Sequence, residues 1–476
     1  SQMLKETEDI VAHQIDFLPL KSYANITEGN ALRLNWEDVV PKGKLNYIMG
    51  NPPFVGYSLQ SKEQKEDILS IYVDEKGKPY KTAGKIDYVS GWYFKASQYM
   101  QDTPIRTAFV STNSITQGEQ VAGVWKPLYD RFGIHIDFAH RTFRWDSEAS
   151  LKAHVHCVIV GFSVAENKAL RQLFTSERMQ EVETINAYLL PADNVFIEGR
   201  TKPICNVPIL QNGGKPTEGG FLILTADEKE ELLKTTPLAE SFIRPYMMGK
   251  DFIARKPRFC LWMVGGSPSL LKQCPAVLDR IEKVRQYRLA SPKAATQKKA
   301  ETPMLFDEVR ECSTDYVAIP KVSSENRRYI PMDYLSPNII PGDKLFMIQS
   351  ASLYNFGVLM SNIHMAWMRA VCGRLKSDYS YSNTIVYNNF PWPTPTDEQK
   401  ARIEQTAQAI LDARELYPDC SLADLYDEAT MPPELRKAHQ QNDKAVMQAY
   451  GFWGKLNSES ACVAELMRMY QGLTEK

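Results

Sequence analysis

Short apolar runs alternate with longer amphipathic stretches over the first third of the chain, and this pattern predicts strands separated by helices. Apolar runs of strand length occupy residues 45–49, 106–112, 134–139 and 155–162. Residues 61–72 carry apolar side chains at helical spacing, and the aromatic-rich residues 86–100 form a second predicted helix. Four strands joined through helices make half of a doubly wound α/β sheet.

The rest of the chain changes character twice. Residues 163–191 are charged and predict a helical connector, whereas residues 203–225 are rich in Gly and Pro, which indicates loops and short strands. Residues 396–417 predict a long helix, and residues 418–476 continue as helices broken by two consecutive prolines. The pattern therefore predicts an α/β part, then a mixed part, then a helical part.

One stretch of the first part combines a strand with an unusual turn. Residues 45–56 read LNYIMGNPPFVG, so that an apolar run closes at a glycine and is followed by Asn51, Pro52, Pro53 and Phe54. Two prolines in succession end the strand and hold the backbone in a stiff, extended turn. Because open α/β sheets place their ligands at the carboxyl ends of buried parallel strands, we expect a binding site here.

The residues of this turn suit the transfer of a group to an exocyclic amino nitrogen. An aromatic amine is a poor nucleophile because its lone pair is delocalised into the ring. The Asn51 side-chain oxygen and a carbonyl held by proline can both accept hydrogen bonds from the amino hydrogens, which aims the lone pair at an incoming methyl group. Phe54 can stack on the face of the base. The plainer alternative is that the prolines merely cap a strand.

Asn-Pro-Pro-Phe after an apolar strand resembles the catalytic motif of the amino-methyltransferases that use S-adenosylmethionine. In that class the adenine-N6 enzymes usually begin the motif with Asn or Asp, and the cytosine-N4 enzymes more often with Ser, so Asn51 implies adenine. A similar turn occurs in enzymes that methylate a glutamine of translation release factors. Those enzymes end soon after their sheet, whereas this chain continues far beyond residue 162.

Composition limits the class of protein but indicates no further candidate functional site. Hydrophobic residues make up 43% and charged residues 24% of the 476 residues, as in ordinary globular proteins of about two or three domains. A net charge of −1 gives no global nucleic-acid signal, so any basic surface has to be local. The eight cysteines lack metal-ligand spacing, which predicts reduced thiols in a cytoplasmic protein without a metal. No apolar run is long enough to span a membrane.

Basic residues gather among aromatic residues in the second part. Acids are sparse over residues 244–299, where the many Lys and Arg are compatible with a surface that tracks DNA phosphates. A solvated helix face is the alternative for residues 280–299. Residues 316–332 and 374–393 set Arg, Lys, Ser and Asn among aromatics, and such side chains read base edges and hold phosphates. The predicted DNA-binding residues are Arg244, Lys250, Arg327, Arg328, Arg374 and Lys376.

Four segments resemble the single-chain type IIG/IIL, MmeI-like restriction-modification enzymes, and the resemblance covers nearly the whole chain. These segments are residues 214–222, 316–332 and 374–393 and the sequence LADLYDEATMPPELRKAH at residues 422–439. In that gamma-class family a nuclease and a helical spacer precede an adenine methyltransferase domain, a target-recognition domain and a helical part. The resemblance implies a class I, Rossmann-like methyltransferase part at residues 1–165, an α+β target-recognition domain at residues 166–395 and a helical domain at residues 396–476.

The resemblance also implies site residues outside the turn and S-adenosylmethionine as cofactor. A polar residue, usually Asp, ends an earlier strand and accepts from the cofactor's adenine amino group; its counterpart is Asn30, whose side-chain oxygen can also accept. Tyr93 lies where an aromatic often touches that adenine, with core packing as the alternative. The loop at residues 141–150 supplies an aromatic to the second face of the flipped base. Trp145 is the candidate and Phe143 the reserve, and plain packing stays open for both.

One part of the family pattern is missing. The glycine-rich cofactor loop of class I methyltransferases follows the first strand, and no GxG occurs in this chain. The residues before a short strand predicted at 24–26 are too few for the first two strands and their helices. We therefore expect a partial sheet lacking its first strands, with the nuclease and the cofactor-loop segment upstream in the same polypeptide. This departure leaves cofactor binding by the chain alone open.

The sequence thus predicts a sequence-specific DNA adenine-N6 methyltransferase that acts on double-stranded DNA within a restriction-modification enzyme. The target adenine has to swing out of the stack because its amino group is otherwise unreachable. Two alternatives stay open. One is an adenine methyltransferase of a phage-defence system without a fused nuclease, and the other is a non-catalytic DNA-specificity fragment, which the missing glycines favour.

Overall fold

The computed structural model describes residues 26–146, 154–165, 169–176 and 178–475, so most of the strand predicted at residues 24–26 lies outside it. The strands of the first part are β1 (Tyr47–Gly50), β2 (Arg106–Thr112), β3 (His135–Asp146), β4 (His154–Ser163), β5 (Arg171–Phe174) and β6 (Met179–Val182). Its helices are α1 (Trp36–Val39), α2 (Lys62–Ile71), α3 (Ser90–Tyr99) and α4 (Gly118–Phe132), with 3-10 turns at Lys42–Lys44, Ala83–Lys85 and Asn113–Thr116.

These six strands form one mixed sheet in the order β1-β2-β4-β3-β5-β6. β1 runs parallel to β2, whereas β4 is antiparallel to both β2 and β3. Alternate residues of β2 and β4, such as Phe109 and Phe162, point into a core that Tyr93 of α3 and Trp125 of α4 complete. The carboxyl ends of β1 and β2 therefore lie side by side, which brings the turn after β1 next to the turn after β2.

β1 is an edge strand among the described residues, in line with a sheet that lacks its first strands, and its Tyr47 and Met49 side chains are 64% and 81% exposed. Two other expectations for this part are wrong. Residues 163–191 hold β5 and β6 rather than a helix, because the free edge of β3 offers β5 a parallel partner. The loop predicted at residues 141–150 continues β3 as far as Asp146 before it leaves the described residues.

The predicted helix over residues 61–72 is confirmed as α2. Ser61 is its N-cap, and its hydroxyl accepts from the Gln64 N–H while the Gln64 side chain returns to the Ser61 N–H, a complete capping box. The second predicted helix begins later than expected, at Ser90 instead of residue 86. The difference arises because residues 86–88 bond to the turn after β1 instead of entering the helix.

The second part contains three small sheets, with the orders β14-β9-β10-β8, β13-β11-β15-β7 and β12-β17-β16. Its strands are β7 (Gln211–Asn212), β8 (Ile223–Leu224), β9 (Ile243–Met247), β10 (Arg258–Leu261), β11 (Tyr316–Pro320), β12 (Val322–Ser323), β13 (Asp333–Leu335), β14 (Ile340–Pro341), β15 (Leu345–Gln349), β16 (Gly373–Leu375) and β17 (Asp378–Ser380). The first of these sheets packs on helix residues Val277, Ile281 and Val284 and has a hydrophobic core of its own.

The helices of this part lie between its strands along the chain. They are α5 (Ala226–Thr235), α6 (Gly249–Ile253), α7 (Pro268–Leu271), α8 (Pro275–Leu289), α9 (Ala294–Lys298), α10 (Leu353–Leu359) and α11 (Asn362–Val371). Pro237–Phe242 and Lys299–Glu301 are 3-10 turns, and Asn383–Tyr387 is a π-helical turn.

The last part is helical, as predicted, and consists of α12 (Asp397–Glu415), α13 (Leu422–Leu425), α14 (Pro433–Tyr450) and α15 (Glu459–Thr474). Ile403, Ala407 and Ile410 of α12 are buried against α14 and α10. The buried Arg414 donates to Tyr426 and to the Met332 carbonyl, which ties this part to the second. The α/β, α+β and helical sequence of parts confirms the predicted fold class. No helix in the described part of the chain is long and apolar enough to cross a membrane.

Candidate active site

The Asn-Pro-Pro-Phe turn begins at the carboxyl end of β1, where the sequence predicts it. Asn51 and Pro53 are exposed, Pro52 is buried and Phe54 is half-buried. The Asn51 side chain has no hydrogen-bond partner among the described residues, so its amide oxygen is available to a ligand. The turn thus combines a fixed backbone with one free polar side chain.

Asp87 braces this turn against the neighbouring strand end. Its Oδ1 accepts from the Tyr57 N–H at 2.9 Å, and its Oδ2 accepts from the Ser114 hydroxyl at 2.5 Å. The next residue, Tyr88, donates its N–H to the Val55 carbonyl at 2.9 Å. Asp87 is only 7% exposed, so water does not loosen these bonds. Sequence reasoning missed Asp87, although an acid within an apolar, aromatic-rich segment is a usable signal.

A cavity of about 550 Å³ opens beside the turn and lies between two parts of the chain. Phe54 and Tyr57 form one wall, the turn after β2 contributes Asn113 and Ser114, and the opposite wall comes from the second part. Pockets of this size accommodate small molecules and single nucleotides. The residues of the opposite wall are Gly373, Arg374, Lys376, Ser380, Ser382 and Ile385.

Most of the opposite wall is the hairpin formed by β16 and β17, which rests directly on α4. A Cβ atom on Gly118 would lie 3.2 Å from the Cα and N of Gly373, so the two backbones meet without side chains between them. Gly118 also has a positive φ of 56°, which glycine adopts without strain. Lys376 stands at the hairpin tip with a φ of 59°, next to Leu375, which is 60% exposed.

Four of the six predicted DNA-binding residues line cavities. Arg374 lies 4.1 Å above the Tyr379 ring, donates to the Ser377 carbonyl and lines the 550 Å³ cavity together with Lys376. Arg327 and Arg328 line a second cavity of about 610 Å³. The structure therefore places these four residues in the walls of concave surfaces.

The other two predicted DNA-binding residues lie apart from those cavities. The Arg244 guanidinium donates to the carbonyls of Pro337 at 2.8 Å and Asn338 at 3.2 Å, and it pairs with Glu311. Its donors serve the internal structure of the second part. Lys250 is exposed on α6. A DNA contact by either residue stays a prediction.

Asn30 belongs to a polar cluster around the buried Asp67. Its Nδ2 donates to Asp67 Oδ2 at 2.9 Å, and its Oδ1 accepts from the Leu32 N–H at 2.9 Å. Burial of the Asp67 carboxyl opposes ionisation, yet hydrogen bonds from Arg33, Tyr88 and Asn30 hold its pKa below the usual value. Asp67 therefore fixes which atom of the Asn30 amide is the oxygen, and that oxygen keeps one lone pair for a further donor.

The two predicted aromatic contacts have different surroundings. Tyr93 is fully buried, with its ring 5.3 Å from the Phe162 ring and its hydroxyl 2.7 Å from the Ser111 hydroxyl, which favours the core-packing alternative. Trp145 is 48% exposed on β3, opposite Val155. Among the described residues the 550 Å³ cavity has neither Trp145 nor Phe143 in its wall. The base-stacking role of Trp145 stays a prediction.

Metal-binding side chains do not gather anywhere in the part of the chain that the structure describes. No group of three or more His, Cys, Asp or Glu residues there could hold a metal ion. All eight cysteines are free thiols.

Comparison with known protein families identifies the family of all three parts of the chain. Family models match in chain order: "MmeI, DNA-methyltransferase domain" over residues 1–175, "MmeI, target recognition domain" over residues 191–394 and "MmeI, C-terminal domain" over residues 395–476. With the sheet and the turn after β1, these matches define a DNA methyltransferase domain joined to a target-recognition domain. The chain belongs to the MmeI family.

Two relatives support this assignment over the full chain. DNA methyltransferase A of Bacillus subtilis (strain 168) is 37% identical over 478 residues, which cover 100% of this chain and 54% of that protein. The structure of the type IIL restriction-modification enzyme MmeI in complex with DNA is 43% identical with a TM-score of 0.90, over 100% of this chain and 63% of that one. The chain therefore spans about half the length of the curated relative.

Proposed function

We propose that this chain is the methyl-transferring and sequence-reading part of a DNA methyltransferase. Its substrate is the N6 amino group of an adenine swung out of double-stranded DNA, and its methyl donor is S-adenosylmethionine. One observation carries the proposal: the turn that begins with the free Asn51 amide lines, through Phe54, a cavity whose opposite wall bears Arg374 and Lys376. A base extruded from a duplex gripped by the second part would enter that cavity.

The chemistry of the turn follows from its hydrogen-bond acceptors. The Asn51 Oδ1 and the Pro52 carbonyl accept one amino hydrogen each, which draws N6 toward a tetrahedral shape, reduces the delocalisation of its lone pair into the ring and aims that pair at the methyl group. Phe54 stacks on the purine and excludes water from one face. Asp87 is a positioning residue that keeps the turn in this shape. The proton lost from N6 leaves to solvent, so catalysis rests on orientation and desolvation.

The residues around Asn30 fit part of the cofactor. When bound, S-adenosylmethionine supplies the methyl group, because the C–S bond of its sulfonium breaks as the new C–N bond forms. Asn30 would hold the cofactor's adenine amino group through the remaining lone pair of Oδ1, with Asp67 orienting the amide. The B. subtilis relative, named a DNA methyltransferase, and the DNA-bound MmeI structure support the same reaction class and a DNA partner.

Asn51→Ala in the full-length protein tests the proposal. We expect methyl transfer from labelled S-adenosylmethionine into duplex DNA to fall about 100-fold or more, because the amino group loses its side-chain acceptor. Binding to DNA, followed by mobility shift, should stay unchanged. Asn46→Ala is the matched control, because Asn46 is exposed at the opposite end of the same strand.

Two results would contradict the proposal. Full activity of Asn51→Ala would show that the Asn51 side chain has no role in methyl transfer. Nucleoside analysis of the methylated DNA should yield N6-methyladenine, and N4-methylcytosine instead would overturn the choice of base.

A further inference from the structure

A groove lined by arginines leads away from the candidate active site. Arg374 lines the 550 Å³ cavity and also a neighbouring cavity of about 260 Å³, to which Arg141 contributes. Arg369 and Glu459 lie in the wall shared by that second cavity and the 610 Å³ cavity described above. The three cavities therefore follow one another, each sharing wall residues with the next, from the Asn-Pro-Pro-Phe turn to the arginines at residues 327 and 328, and we call this series the groove.

Three carboxylates lie among the arginines in the walls of the 260 Å³ and 610 Å³ cavities of this groove. Two of them, Glu325 and Glu428, line the 610 Å³ cavity, and Glu428 is bound by Arg436 at 2.7 Å. Glu459 stands between the arginine-lined cavities themselves. A carboxylate at such a point opposes the entry of any polyanion, so its presence needs a reason.

Arg369 and Glu459 form a two-pronged ion pair. The Arg369 Nε donates to Glu459 Oε1 and its Nη2 donates to Oε2, both at 2.8 Å. The remaining Nη1 donates to the Arg328 carbonyl at 3.0 Å. The Arg369 side chain is 20% exposed, whereas that of Glu459 is 51% exposed. A guanidinium offers this same parallel pair of N–H groups to a phosphate.

We infer that Glu459 is a stand-in for a DNA phosphate, an inference that rests on the proposed function. It occupies the Arg369 fork in the free protein and gives way to a backbone phosphate when duplex DNA enters the groove. The exchange is possible because the Glu459 side chain is half-exposed and because a phosphate offers Arg369 the same two-pronged pairing as the carboxylate. The Arg369 fork stays aimed during the exchange, since its bond to the Arg328 carbonyl does not involve Glu459.

The position of Glu459 in the fold suits this exchange. It is the first residue of α15, in the helical last part, whereas Arg369 belongs to α11 in the recognition domain. The carboxylate can therefore withdraw without disturbing the domain that reads the DNA. Its effect is to weaken binding to all duplexes alike, because a phosphate of any sequence must displace it. Base contacts then decide which duplex stays bound.

Glu459→Gln tests the inference in the full-length protein, with a short labelled duplex of mixed sequence as the probe. We expect binding to tighten roughly fivefold at low salt. The plot of log affinity against log salt should also steepen by about one unit. The slope changes because Arg369 of the variant neutralises one phosphate without freeing a carboxylate, so that binding releases one more counterion from the DNA.

Glu465→Gln is the matched control. Glu465 lies on the same helix and pairs with Arg468 at 2.9 Å, and neither residue lines the groove. The change in net charge is identical, so affinity and salt slope should both remain at wild-type values. In an Arg369→Gln background, Glu459→Gln should have no further effect, because the two residues act as a unit.

Three outcomes overturn the inference. If Glu459→Gln leaves affinity and slope unchanged, or weakens binding, the ion pair is only a link between domains. If Glu465→Gln tightens binding equally, the effect is one of net charge. Wild-type protein that fails to bind duplex DNA would refute the proposed function as well. Should Glu459→Gln unfold at lower temperature, Glu459→Asp keeps the helix-end charge but reaches Arg369 poorly, and a smaller increase in affinity is expected.

Discussion

Two segments of the recognition domain are alike in sequence but differ in what their basic residues do. Residues 244–299 and residues 373–382 both mix Lys and Arg with aromatics. In the first segment Arg288 is fully buried and donates five hydrogen bonds to main-chain carbonyls. In the second, Lys376 stands at an exposed hairpin tip that faces the Asn-Pro-Pro-Phe turn across a cavity.

The difference teaches that an arginine's neighbours decide its role before its charge does. Five carbonyls saturate the five N–H donors of Arg288, so nothing remains to offer a phosphate. Burial lowers the pKa of this guanidinium, yet it remains charged over the usual pH range. Arg244 is engaged in a similar way by two carbonyls and Glu311. The structure favours the solvated-face alternative for the outer residues of α8, because Lys283 and Arg285 pair with acids of their own helix.

Arg288→Met gives the largest expected effect on this comparison. The substitution leaves five buried carbonyls without donors, and we expect the free energy of unfolding to fall by about 4 kcal/mol or more. Urea denaturation measures the change. Arg285→Ala is the control, because its side chain is 45% exposed and its partner Glu282 lies three residues away; it should stay within about 0.5 kcal/mol of wild type. Equal losses in both variants would contradict the assigned scaffold role.

Lys376→Ala is expected to affect DNA binding rather than stability, the opposite of Arg288→Met. We expect the free energy of unfolding to be unchanged and affinity for duplex DNA to fall about tenfold, because the hairpin tip would lose the cation that we predict to contact a base or phosphate. Fluorescence anisotropy measures the affinity. Lys272→Ala is the control from the first segment, where Lys272 is exposed, and it should bind as wild type does. If the two variants bind equally well, the hairpin is not a DNA-contacting element.

Gly118→Ala has the smallest expected effect and tests how the hairpin is seated. The new methyl group meets the Gly373 backbone at 3.2 Å, in addition to the strain of a positive φ. We expect about 1 kcal/mol of destabilisation and a several-fold slower methyl transfer. Gly133→Ala separates the two causes, because Gly133 has a φ of 60° with nothing within 4 Å of the added atom. Equal loss of transfer rate in both would show that seating of the hairpin is irrelevant.

Much of the fold could be predicted because its signals are local. The alternation in Arg106–Thr112 and the Ser61 cap lie within the elements that they define. β5 and β6 could not be predicted, because their charged sequences become strands only where β3 provides an edge. The exposed face of β1 depends likewise on its position in the sheet rather than on its own apolar residues.

The candidate site divides in the same manner. Asn51 to Phe54 could be identified because two prolines and their neighbours are contiguous in the chain. Asp87 stands out in the sequence as an acid in an apolar segment, but its role could not be predicted, since its partners Tyr57 and Ser114 are about thirty residues away on either side. The Arg369–Glu459 pair spans two domains, and no sequence window contains it.

The brace formed by Asp87 has a kinetic consequence. Because the turn is held before any ligand arrives, its backbone has little conformational entropy left to lose on binding. Ordering of this turn is therefore not a slow step before the reaction. We therefore expect the slow event before chemistry to lie in the nucleic acid, as the base unstacks, and a mismatched target pair to react faster than a matched one.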